Sequence, residues 1–169
     1  MGRIAKIEGY AAIYGVPDRS GDVVAPGAFS SALRCPAEVR MLYQHAVDAP
    51  IGRWVGFEER RKGLYAFGEI DLVGPRLDEI HGLLLSGAVD GLSVGYRTRR
   101  ASRRAGGRVI RAAELWEVSV VTFPMAPAAR VLRVGPKDAA RDPGRAGALE
   151  AIREATATLG LEALASIRG

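Results

Sequence analysis

The sequence predicts an α+β domain with a barrel-like arrangement of strands. About six runs carry β-branched and aromatic residues at strand spacing, two helical segments fall among them, and Gly/Pro-rich turns punctuate the junctions. The 169 residues fit one domain with an appendage, and 48% of them are hydrophobic, enough for a sizeable core.

Residues 3–15 read as the first strand, through Ile4, Ile7, Tyr10, Ile13 and Tyr14. A turn-rich segment, Val16-Pro17-Asp18-Arg19-Ser20-Gly21-Asp22, follows. Pro26-Gly27-Ala28-Phe29 opens a short helix carrying Phe29 and Leu33, which must stop before Pro36 because proline excludes its predecessor from helical geometry. Met41-Leu42-Tyr43 is a short strand ending at Gln44-His45, ahead of a turn-forming Asp48-Ala49-Pro50. Residues 51–58 and 63–72 form a hairpin about the charged turn Glu59-Arg60-Arg61-Lys62. Pro75 begins a second helix in which Leu77, Ile80 and Leu84 share a face, and Gly87 ends it. Residues 92–101 and 108–123 make another strand pair around Gly106-Gly107, and Phe123-Pro124-Met125-Ala126-Pro127 closes the periodic structure. The expected organisation is a domain over 1–134, a Gly/Pro/Ala-rich linker over 135–147 and a C-terminal helical tail over 148–169, with Leu149, Ile152, Leu159 and Leu164 as its apolar positions.

Composition narrows the function classes. No apolar run reaches the length of a membrane span, and Met1-Gly2-Arg3-Ile4 starts no signal-peptide core, so the expectation is a non-secreted protein without a membrane partner. Cys35 is the single cysteine, which excludes an internal disulfide and a cysteine-based zinc cluster and fits a reducing compartment. The net charge of +5 is carried almost wholly by arginine, the lysines being Lys6, Lys62 and Lys137. Arginine over lysine with abundant alanine is also what a GC-rich genome produces.

Gly91-Leu92-Ser93-Val94-Gly95-Tyr96 sets a small nucleophile between two glycines and matches the G-x-S-x-G string of α/β-hydrolases. Chain order excludes that fold. Its elbow serine follows a strand and opens a helix, with histidine later in the chain; here a helix precedes Ser93, a strand-like run follows, and no histidine lies downstream. The glycines then suit a tight helix-to-strand turn and close substrate approach. A serine nucleophile needs a base. His45, at a strand end, is better mounted for that than His81 in mid-helix beside Leu77 and Leu84. Glu117, an acid inside an apolar strand, suits a third group that orients the imidazole. Each residue also has a structural reading: a strand serine after a turn, a turn-capping histidine, a glutamate paired with an arginine.

Five stretches in order narrow the choice: Gly21-Asp22-Val23-Val24-Ala25-Pro26-Gly27-Ala28-Phe29, Leu42-Tyr43-Gln44-His45, Pro50-Ile51-Gly52, Gly87 to Tyr96, and Glu117-Val118-Ser119-Val120-Val121-Thr122-Phe123-Pro124. Together, over roughly residues 3–134, they resemble the prohead (capsid maturation) protease family of tailed phages and prophages, which is related in fold to the herpesvirus capsid protease, assemblin. The resemblance implies a compact β-barrel-like domain with flanking helices. It also implies a serine endopeptidase that acts inside immature capsids in the bacterial cytoplasm, cleaving scaffold or the scaffold-like segment of the major capsid protein, and itself. Motif by motif it places the nucleophile at Ser93 and the base at His45. The third member is a second histidine in the herpesvirus relatives; no histidine stands in the late strand here, and Glu117 is assigned, with Ser119 and Asp48 behind it. No cofactor and no metal is implied. Major capsid protein and scaffold are the expected partners, self-association is open, and nucleic acid is not expected. The alternative is a catalytically silent assembly factor with the same fold. Arg97, Arg99, Arg100, Arg103, Arg104, Arg108 and Arg111 cluster after the nucleophile, either as a solvated hairpin or as a dock for an acidic scaffold or packaged nucleic acid, scaffold being preferred because the hairpin lacks interleaved aromatics.

Overall fold

The structure, a computed structural model, describes residues 3–136; the tail expected over 148–169, and the linker beyond Pro136, lie outside the described residues. The chain runs β1 (Arg3–Ile13), β2 (Val23–Val24), α1 (Ser30–Arg34), a 3-10 turn (Pro36–Glu38), β3 (Arg40–Tyr43), β4 (Ala46–Arg60), β5 (Gly63–Leu72), α2 (Pro75–Ser86), β6 (Gly91–Arg104), β7 (Gly107–Val121) and β8 (Val131–Pro136). The eight strands among the described residues form one sheet. β6 and β7 pair as a long antiparallel hairpin; the other edge of β7 is shared by β2 and then β3, both parallel to it. From β3 the sheet continues antiparallel through β4, β5, β1 and β8.

This is the mostly stranded domain with few helices that the sequence leads one to expect, but the sheet is curled and not closed. Its two ends meet at one point, where Val131 N–H donates to the Asp90 carbonyl at 2.7 Å and Leu92 N–H to the Ala129 carbonyl at 3.0 Å. A single Gly91–Arg130 bridge stands where a closed barrel would have a ladder.

The elements differ from expectation in four places, the first being that Pro26-Gly27-Ala28-Phe29 forms turns ahead of α1 and does not open the helix. Asp48-Ala49-Pro50 lies inside β4, and the turn falls earlier, at Gln44-His45. Pro50 is tolerated because it sits opposite Leu42 at a register shift, where the ladder is already interrupted. The two-residue β2 was not expected, nor was β8, which takes residues 135–136 from the expected linker. The second helix is as expected: Pro75 is its first residue, Ile80 and Leu84 are buried, and Gly87 caps it at φ 73°, a left-handed angle that glycine adopts without a Cβ penalty.

Trp54, Phe29, Met41, Ile70, Ile110 and Val118 are among the fully buried core side chains. The Trp54 indole N–H donates to the Val118 carbonyl at 3.2 Å, tying β4 to the middle of β7. Phe29 packs edge-on against Tyr96 at 5.4 Å between ring centroids, so the short α1 segment is pinned to β6.

The Gly21-Asp22 motif acts as a brace. Asp18 Oδ1 accepts from Ser20 N–H, the Ser20 hydroxyl and Asp22 N–H at 2.7–3.0 Å, closing the loop on itself. The nearly buried Asp22 carboxylate accepts from the Arg108 guanidinium and backbone N–H, tying the loop to β7. Arg19 N–H donates to the Met125 carbonyl at 3.0 Å, tying it to the loop after β7. The Arg108 hydrogen bonds hold the Asp22 carboxyl below its ordinary range, outweighing the opposite effect of burial. A depressed folded-state value gives stability that is present above the unfolded value and lost as pH falls through the folded one. Asp22→Asn therefore lowers the melting temperature near neutral pH, and the gap to wild type closes as pH falls below about 4. A gap that stays constant into acid counts against the pair.

Candidate active site

Register puts the candidate residues together before any side chain is considered. Ser93 of β6 stands opposite Ser119 of β7, and Gly95 opposite Glu117. Opposed residues of an antiparallel pair share a face and strand side chains alternate, so all four positions lie on one face. Val118 and Val120, at the alternate positions, are fully buried in the core. β3 runs parallel to β7 with Leu42 against Ser119 and Tyr43 against Val120, so the turn leaving β3 emerges beside the same patch.

That turn is Gln44-His45, and both residues have positive φ, 55° and 59°. Each such conformation in a residue with a Cβ costs on the order of 1 kcal/mol. Gln44 holds the turn: its N–H donates to the Val120 carbonyl at 2.9 Å, its amide nitrogen donates to the Thr122 hydroxyl at 2.8 Å, and its amide oxygen accepts from Thr122 N–H at 3.3 Å.

The turn brings His45 Nδ1 to 2.6 Å from Glu117 Oε1. An ionised carboxylate only accepts, so Nδ1 carries the hydrogen and Nε2 is left as the basic nitrogen. The other Glu117 oxygen accepts from the Ser119 hydroxyl, which is wholly buried. Glu117 is 15% exposed and the His45 side chain 45% exposed, so a fixed carboxylate supports an imidazole open to a substrate. Asp48, the other acid considered, is exposed in β4.

Ser93 is 5% exposed and borders a small cavity of about 20 Å³, together with Val16, Asp18, Tyr96, Met125 and Ala126. Among the described residues no hydrogen bond joins Ser93 to His45. Contacts between nucleophile and base commonly tighten only when substrate is bound. The structure thus brings His45, Glu117 and Ser119 into contact and sets Ser93 on the strand beside them; His81 lies in α2.

The two glycines of the motif make room for the protein's own atoms. A Cβ on Gly95 would lie 2.4 Å from Glu117 Oε1 and 2.7 Å from its Cγ, so the carboxylate occupies the space a side chain would take. A Cβ on Gly91 would lie 2.5 Å from the Val121 carbonyl and 2.8 Å from Pro124. The Gln44 clamp and the Gly95–Glu117 fit were missed by sequence reasoning; Gln44 beside His45 in a motif was the available signal.

Solved structures share this architecture. The KSHV protease in complex with a hexapeptide phosphonate inhibitor superposes with a TM-score of 0.56 at 13% identity, covering 91% of this chain and 77% of that one. The varicella-zoster virus protease superposes with a TM-score of 0.51 at 15% identity, covering 78% and 64%. The domain therefore has the herpesvirus protease fold. The model of the caudovirus prohead serine protease family matches residues 2–139, and the chain belongs to that family. It is 32% identical over 128 residues to the prohead protease of Enterobacteria phage HK97, covering 73% of this chain and 57% of that protein. It is also 29% identical over 160 residues to the capsid polyprotein of Pseudomonas phage PAJU2, of which it spans 21%.

Proposed function

We propose that the chain is a serine endopeptidase of prohead maturation, cleaving scaffold or the scaffold-like segment of the major capsid protein inside immature capsids, and cleaving itself. The observation that carries this reading is the His45–Glu117 pair held against the strand that bears Ser93, in a member of a prohead protease family. His45 Nε2 takes the Ser93 proton as the hydroxyl oxygen attacks the scissile carbonyl, then returns it to the leaving amine. Water deacylates the enzyme by the same route in reverse. Glu117 fixes the tautomer and stabilises the imidazolium, and Ser119 keeps the second carboxylate oxygen occupied. Met125 and Ala126 border the Ser93 cavity, so their backbone N–H groups are our choice for the oxyanion, each worth roughly 3–4 kcal/mol.

A covalent probe tests the nucleophile directly. A fluorophosphonate incubated with the native chain should label one residue, found by peptide mass mapping at Ser93, and labelling should vanish after heat denaturation. Labelling elsewhere, or equal labelling of the denatured chain, would refute the assignment.

A further inference from the structure

β6 carries Ser93 near its start and five exposed arginines beyond it: Arg97, Arg99, Arg100, Arg103 and Arg104. One edge of the strand pairs with β7, and from Ser93 to Arg104 the other edge has no strand partner among the described residues. Several arginines of the hairpin are committed within the fold. Arg99 pairs with Glu114, Arg108 with Asp22, Arg104 donates to the Gly21 carbonyl, and Arg111 donates to the Ser102 hydroxyl. Arg97, Arg100 and Arg103 have neither an ion pair nor a side-chain hydrogen bond among the described residues, so their charges remain along this strand.

Bare edges are commonly blunted by charges and bulges, and β6 has register shifts at Gly95/Tyr96 and between Thr98 and Ala101. Blunting needs isolated charges of either sign. An array of one sign instead builds a field that attracts the opposite charge.

We propose that this arginine strip docks an acidic segment of the polypeptide substrate, an inference that rests on the protease reading. Strands advance about 3.3 Å per residue, so a substrate lying extended along β6 meets Arg97 and Arg103 about four and ten residues from the scissile bond. A polypeptide fits better than nucleic acid. The strip leads along one strand into Ser93, and no aromatic residue occurs from Arg97 to Arg111 on which bases would stack.

The test compares wild type with the triple variant Arg97→Gln/Arg100→Gln/Arg103→Gln, which touches no residue of the proposed triad. The probes are a fluorescent peptide of alternating Glu and Ala, its Gln/Ala counterpart and a single-stranded DNA of similar length. The acidic peptide should bind wild type, lose affinity about tenfold in the triple variant, and weaken with salt, while the Gln/Ala peptide should not bind. In capsid-protein cleavage the triple variant should raise KM at unchanged kcat. Equal affinity of both proteins for the acidic peptide, tighter binding of DNA, or self-association of the triple variant at unchanged KM would each overturn the docking proposal. If wild type binds the acidic peptide but leaves the capsid protein intact, the protease reading fails and the docking surface stands.

Discussion

Ser93→Ala should leave the capsid protein at full length when the two are co-expressed, whereas the wild-type chain should shorten it. The expected loss in kcat is roughly a millionfold, the scale on which a triad fails when its nucleophile is removed. Folding should be nearly unaffected, because the Ser93 hydroxyl makes no hydrogen bond among the described residues and its loss leaves only a small void. His45→Ala should cost about as much, and the double variant little more, because the two groups act in one proton transfer. Denaturing gels and intact-mass measurement of the capsid protein report the cleavage, and thermal melting reports the fold. If the capsid protein keeps its length with wild type as well, the proposed activity is wrong.

Gly95→Ala should lower kcat by roughly a thousandfold with KM nearly unchanged, approaching the roughly ten-thousandfold loss expected for Glu117→Gln. A methyl at residue 95 meets the Glu117 carboxylate and its Cγ within 2.4–2.7 Å, so the glutamate must leave the position from which it holds His45 Nδ1. Misplaced by even an ångström, the imidazole loses its tautomer control and its aim. The two substitutions should be strongly non-additive, Gly95→Ala adding little to Glu117→Gln, because both remove the same support. Full additivity, or a loss confined to KM, would show that Gly95 serves substrate binding and not Glu117.

The sequence showed how the site would have to work before it showed where it sat. Ser93 downstream of a helix and upstream of a strand excluded the α/β-hydrolase reading, and that order holds in the structure: α2, then β6. Periodicity found α2 because its buried positions recur at helical spacing and its ends carry proline and glycine. It missed β8, whose Leu132, Arg133, Gly135 and Pro136 show no alternation and which exists because β1 offers its free edge. It also placed the turn at Asp48-Ala49-Pro50, since local turn preference cannot foresee that a parallel β7 will hold Gln44 in a left-handed conformation.

By itself the sequence determined the residue types available for chemistry, the order of the helix and strand around Ser93, and a family resemblance specific enough to propose the residues. Only the tertiary structure decided that Glu117 is the carboxylate held against His45, with Ser119 on its other oxygen and Asp48 left in solvent. The reason is register. β3 and β6 both pair with β7, and that alignment brings residues 72 positions apart within 2.6 Å, through backbone hydrogen bonds that no local pattern of side chains encodes.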